Sequence, residues 1–136
     1  MNREIKFRGK DIQSGEWRYG YVEYNYDKSM ARIVSPLHID MDSFPSQFFK
    51  VDIGTISQFT GLHDKNGKMI YQHDIIQLQG KENKYNCLVD WNINLGAWCL
   101  SIENKCLGVK PLGEWLREDS FIVIGNIFDN PELLEE

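Results

Sequence analysis

His63-Asp64 and His73-Asp74 stand at the two ends of one short stretch, and an imidazole beside a carboxylate is the pairing used to bind metal ions or move protons. Such chemistry needs a third convergent group. No H-x₃-H, H-E-x-x-H or Cys/His ligand spacing supplies one. Two solvent-facing turn histidines are therefore expected, and a metal-dependent hydrolase on His63, Asp64, His73 and Asp74 ranks last among the functions considered. Cys87, Cys99 and Cys106 are odd in number and lack C-x-x-C spacing, which suits reduced thiols of a bacterial cytoplasm. Cys87 alternates with Tyr85, Val89 and Trp91 and is expected in a core. Cys99 falls on the face opposite Trp98 and Leu100, and Cys106, after Lys105, is expected in a loop as the most exposed thiol. G-x-S-x-G, Walker and G-x-G-x-x-G patterns are absent from the sequence. The expectation is a protein with no catalytic residues, no metal site and no cofactor.

A second constellation is cationic. Lys6, Arg8 and Lys10 point to one side if residues 5–10 are extended, and Trp17, Tyr19 and Tyr21 share a side in the next run. Cations beside rings are the ingredients of a platform for single-stranded nucleic acid or for a partner protein. The plainer reading, preferred here, is a solvated outer face over an aromatic core, with Ile5 and Phe7 turned inward. Charge agrees with caution about nucleic acid. Net charge is −5, and residues 1–32 hold seven Lys/Arg against five Asp/Glu while 81–136 hold five against ten. Those ten acids are spread along the segment, so they read as a solubility device rather than a mimic of a phosphate backbone.

The elements that must position these groups are mostly strands. An aromatic share of 12% favours sheet and suggests a core of Trp, Tyr and Phe rather than Leu. At 136 residues one domain over 1–136 is expected. No signal peptide follows Met1, and no window holds the ~18 apolar residues of a membrane span. Residues 55–76 form the most readable part, a central hairpin. Asp64 can bond the backbone ahead, Asn66 tolerates the bridge region and Gly67 supplies φ > 0. A type I turn closed by a Gly bulge fits best, with a type I′ turn on Asn66-Gly67 as the alternative. Either pairs roughly Ile56–Leu62 with Lys68–Tyr71.

Around the hairpin, Ile5/Phe7 and Trp17/Tyr19/Tyr21 mark two antiparallel strands joined by a polar turn within Gly9–Gly15. Residues 27–50 read as an inserted segment with one short strand at Arg32-Ile33-Val34 and a loop over 40–45. Ile75–Leu78, Tyr85–Trp91, Trp98–Ile102 and Phe121–Ile124 are further strands. Pro111 opens a short helix carrying Leu112, Trp115 and Leu116 on one face. Asn130-Pro131-Glu132 signals a second helix start in the tail 130–136, which frays unless Leu133 and Leu134 dock.

Four blocks in order carry a resemblance. They are Arg3-Glu4-Ile5-Lys6-Phe7-Arg8-Gly9 with Trp17 and Gly20; Asp52 to Leu62; Asp64-Lys65-Asn66-Gly67-Lys68 with Ile70-Tyr71 and Asp74-Ile75-Ile76; and Ile124-Gly125-Asn126-Ile127 with Asn130 to Leu134. Together they resemble the YopX-like family of bacteriophage and prophage proteins over nearly the whole chain. The resemblance implies an SH3-like β-barrel and a phage or prophage origin, and no established activity. One departure stands out: Gln72-His73 replaces the family's usual Glu-Gly before Asp-Ile. If position 73 needs φ > 0, a His there carries about 1 kcal/mol of strain that Gly avoids.

The expectation for function is a non-enzymatic module that binds a host or phage protein through loops and exposed strand edges, and that pairs with its own copies. The alternative is a nucleic-acid-binding accessory factor using Lys6, Arg8, Lys10, Trp17, Tyr19 and Tyr21.

Overall fold

A computed structural model describes residues 4–35, 47–82, 84–103 and 105–135. Arg3 and the loop expected over 40–45 lie outside them. The chain divides into two compact units, Met1–Phe59 and Thr60–Glu136. Among the described residues it is mainly β, the strands forming two antiparallel sheets, with one α-helix.

The first unit contains β1 (Phe7–Asp11), β2 (Trp17–Tyr24), β3 (Ala31–Ser35) and most of β4 (Gln47–His63). An Asp starts its first turn: the Asp11 carboxylate accepts the N–H of Gln13 at 2.8 Å and of Ser14 at 3.4 Å, while its carbonyl accepts the N–H of Gly15. That local competition with the ladder ends β1 and returns the chain as β2. β1 pairs with β2, β2 with β3 and β3 with β4, and β4 also pairs with β1. Each of the four strands thus has a neighbour on both sides. The circuit is tight at Gly20, whose φ is +154° and whose missing Cβ would fall against the carbonyl of Val34. Gly20, one residue of the resemblance, is therefore required by close backbone approach. Inside, Ala31, Ile33 and Val51 form a small core, with Phe7, Val22 and Ile56 packed on it. Residues 27–50 include β3 and the start of β4, both integral to this sheet.

In the second unit the end of β4 pairs with β5 (Met69–Tyr71). A sheet follows in the order β10 (Phe121–Asn126), β6 (Asp74–Leu78), β7 (Asn86–Asn92), β8 (Ala97–Ile102), β9 (Lys105–Pro111). The turn at 64–67 is the type I turn with a Gly bulge: the Gly67 N–H donates to the Asp64 carbonyl at 3.0 Å, and Gly67 has φ +82°. Asn66 is not among the positive-φ residues, which a type I′ turn would require.

The helix α1 (Leu112–Glu118) begins one residue after Pro111, which serves as its N-cap in extended conformation. Glu114 in its first turn and Arg117 in its last complement the helix dipole. Leu112 is fully buried, with Trp115 and Leu116 packed beside it. The core here is aliphatic: Ile70, Ile76, Val89, Leu100 and Leu112, with Cys87 and Phe121. Full burial of each such Ile or Leu contributes about 1.5–3 kcal/mol. This corrects the expected core of Trp, Tyr and Phe. Among the described aromatic residues only Phe59, Tyr71 and Phe121 are buried, while Tyr19, Tyr21 and Tyr24 of β2 and Trp91 of β7 are exposed.

β9 corrects a second expectation. Cys106 lies in this strand, opposite Ser101, rather than in a loop. Gly108 and Val109 both take φ > 0 there, a kink that alternation alone does not signal. The tail ends in a 3₁₀ turn, Pro131–Leu134, held by the side-chain amide of Asn86 donating to the Leu133 carbonyl at 2.8 Å.

Candidate functional site

The two His-Asp pairs are placed by the central hairpin, and their carboxylates serve the backbone. One oxygen of Asp64 accepts the N–H groups of Asn66 at 2.8 Å and Lys68 at 2.9 Å. The other accepts the N–H of Val123 at 2.9 Å, fastening β10 to the turn. Asp74, 1% exposed, accepts the N–H of Tyr71 at 2.8 Å. His73 has φ +73°, so the position does use the left-handed region and the residue carries strain. Its ring meets Phe128 edge-on, with centroids 5.1 Å apart, and its backbone bonds Val89 and Ile127. Among the described residues no three His, Cys, Asp or Glu side chains group to hold a metal ion. The stretch is a structural staple.

Burial raises the Cys87 thiol to about 11. Burial, then Cys106, raises Cys99 to about 12. Both thiols are buried and stay protonated at neutral pH, which suits core residues rather than nucleophiles.

The cationic and aromatic residues behave differently: the fold brings them together. Register places Arg8 opposite Tyr19 and Lys10 opposite Trp17, so their side chains leave the same face of β1 and β2. The Arg8 guanidinium lies 4.4 Å from the Trp17 ring centroid, the Lys10 ammonium 5.5 Å from it, and the Lys6 ammonium 5.7 Å from that of Tyr19. Tyr19 is 43% exposed and Tyr21 58%. Ile5, expected inward, is itself exposed, since it precedes the first paired strand, whereas Phe7 packs on the inner cluster.

Residues that the sequence did not single out extend this face. Tyr21 pairs with Val34, and Val34 with Phe48; Glu23 pairs with Arg32, and Arg32 with Lys50. Arg32 sits 4.2 Å from the Phe48 centroid and bonds Glu23 at 2.6 Å. Phe48 is 54% exposed. The signal that could have found them is alternation in Arg32-Ile33-Val34 and Phe48-Phe49-Lys50; both runs flank a segment too polar to reveal its pairing.

A cleft of about 380 Å³ opens in the second unit among β7, β8 and the tail, lined in part by Lys84, Tyr85, Ser101, Glu103 and Leu134.

A family model described as YopX protein matches residues 6–135. Among curated proteins no match is found. Among solved structures, the crystal structure of protein EF1440 from Enterococcus faecalis is similar, with a TM-score of 0.64 and 21% identity, over 98% of this chain and 100% of that one. At that identity the likeness is one of fold.

Proposed function

The chain belongs to the YopX protein family, and on that premise we propose that it is a non-enzymatic interaction module, an accessory protein of phage or prophage origin that binds a protein in the bacterial cytoplasm. One observation carries this reading. The outer face of the first unit gathers Lys6, Lys10 and Arg32 with exposed rings in a single patch, whereas the hairpin carboxylates hold backbone N–H groups and Cys87 and Cys99 lie buried. Exposed aromatic side chains flanked by charge are what partner-binding surfaces display. The four-strand circuit of the first unit is read as an SH3-like barrel, a fold that presents such a face to partners. Self-association through the apolar tail at Leu133 and Leu134 is a further part of the proposal. Light scattering at high concentration tests it, and a strict monomer contradicts it.

The test of function is comparative affinity capture with crosslinking from lysogenic cells. A protein crosslinked to the parent chain and lost with Lys10→Glu/Lys50→Glu supports the module. Turnover of a small compound that survives rigorous purification contradicts it.

A second reading has one favourable observation. Lys6, Arg8, Lys10, Trp17, Tyr19 and Tyr21 do converge, as an accessory factor for single-stranded nucleic acid requires.

A further inference from the structure

We propose that Cys99 of β8 and Cys106 of β9 form a reversible oxidation site in the second unit. A small peroxide couples them into a cross-strand disulfide and leaves Cys87 a thiol. Nothing in this depends on partner binding by the first unit.

Sidedness selects the pair. Register sets Val89 against Leu100 and Leu88 against Ser101. Cys87, Val89 and Leu100 all belong to the buried aliphatic cluster, so they share the inner face of the sheet. Alternation then turns Cys99 and Ser101 to the opposite face, away from Cys87. Cys106 pairs with Ser101, so its side chain leaves the sheet on that same side, diagonally across the ladder from Cys99. Two of the three thiols therefore share a face, and the third lies behind the strand. The two also interact directly. After burial, Cys106 is the next cause of the raised Cys99 value, through a hydrogen bond between the thiols and then by charge.

A regular diagonal pair holds its Cα atoms about 7–8 Å apart, beyond the span of about 4.4–6.8 Å that a disulfide accepts. β9 is not regular at this point. Cys99 pairs with Pro111 and Ser101 with Cys106, and the register shifts between them. The residues of β9 in between bulge, with Gly108 at φ +64° and Val109 at φ +46°. Val109 is 77% exposed, and β9 ends its sheet, with β8 its one paired neighbour among the described residues. The bulge thus holds the slack that lets Cys106 close on Cys99.

Access sets the order of events. Cys106 is half-buried, whereas Cys99 and Cys87 are buried. The Cys106 sulfur attacks one peroxide oxygen: an S–O bond forms, the O–O bond breaks, and the departing oxygen leaves as water with the thiol proton. The Cys99 sulfur then attacks the sulfenyl sulfur of Cys106. The S–S bond forms, the S–O bond breaks, and the hydroxide takes the Cys99 proton as a second water. Two thiols give up two electrons and one peroxide accepts them. Burial makes Cys99 a poor nucleophile toward a dissolved oxidant, but contact with its target offsets that. In a reducing compartment such a bond is transient, which suits redox sensing.

The experiment is oxidation of the folded full chain with a modest excess of hydrogen peroxide. Remaining thiols are then blocked in urea, and peptides are mapped without reduction. Fragment spectra should place the Cys99–Cys106 link at least about tenfold above the other two pairings, with the blocking group on Cys87. Dithiothreitol should return three blockable thiols. Oxidation in urea should bring the pairings within about threefold of one another, since loop length alone then decides. Cys87→Ala should keep the link, while Cys99→Ala and Cys106→Ala should abolish it. Should a variant fail to fold, the fragment spectra of the parent decide alone. Equal distributions from folded and unfolded chain mean that the fold does not select the pair, and the inference falls. Sulfinic acid on Cys106 without a link, a link joining two chains, or a link to Cys87 overturns it as well.

Discussion

Asp64 and Gly67 hold the most consequential positions of the central hairpin. Three backbone N–H groups end on the two oxygens of Asp64, one of them from the distant Val123. Asp64→Ala leaves all three without that acceptor, and a loss of about 2–3 kcal/mol is expected in urea denaturation. Asp64→Asn, which keeps one acceptor oxygen, should lose clearly less. Gly67→Val forces a branched side chain into φ +82° and should lower stability by more than about 1 kcal/mol. A parent-like melting temperature for that variant would contradict the turn geometry. Asp11 gives the acid limb of stability. Gln13's N–H first, and then Arg18 and Ser14, hold its carboxyl below the ordinary carboxylate value of 3.8 against the opposing effect of burial. A depressed value in the folded state means that the ionised form favours folding. The contribution is complete above pH ~4 and disappears as pH falls through the folded value. The melting-temperature gap between parent and Asp11→Asn is therefore expected to be constant from about pH 5 to 7 and to narrow below about pH 4.

Strands and turns were legible where local chemistry dictates them. Asp64-Lys65-Asn66-Gly67 names its own turn because each residue type answers to one dihedral requirement. Leu112, Trp115 and Leu116 name their helix face in the same way. β9 was not legible, since Lys105–Pro111 lacks alternation and its kink lies at Gly108 and Val109. The inner and outer faces of β2 are not legible either. Alternation tells which residues share a side, and only tertiary pairing tells which side is buried. Alternation places Trp17, Tyr19 and Tyr21 on one face, yet that face looks outward and the aliphatic residues Ala31, Ile33 and Val51 fill the inside. Arg32, Phe48 and Lys50 could be added to the site only once the register across β2, β3 and β4 was known. At the level of these strands, Gly20→Ala is expected to be severe. Its Cβ would strike the Val34 carbonyl, and a loss of about 2 kcal/mol or more follows from strain alone. A change of under about 0.5 kcal/mol in chemical denaturation would mean that β2 and β3 are not so closely paired.

Across the chain, charge and chemistry are divided between the two units. The first displays cations seated on rings; the second buries Cys87 in an aliphatic core and spends its hairpin carboxylates on backbone N–H groups. Family membership and the likeness to the Enterococcus faecalis structure concern the fold, and the proposed role rests on the outer face of the first unit. The most direct measurement is an amide and indole NMR titration of the labelled chain with the protein that crosslinking from lysogenic cells identifies. The account expects the Trp17 indole N–H and the amides of residues 8–10, 17–21, 32–34 and 48–50 to shift in a saturable, salt-sensitive way while residues 60–135 stay in place. Saturable shifts confined to residues 60–135, with the first unit silent, would contradict it.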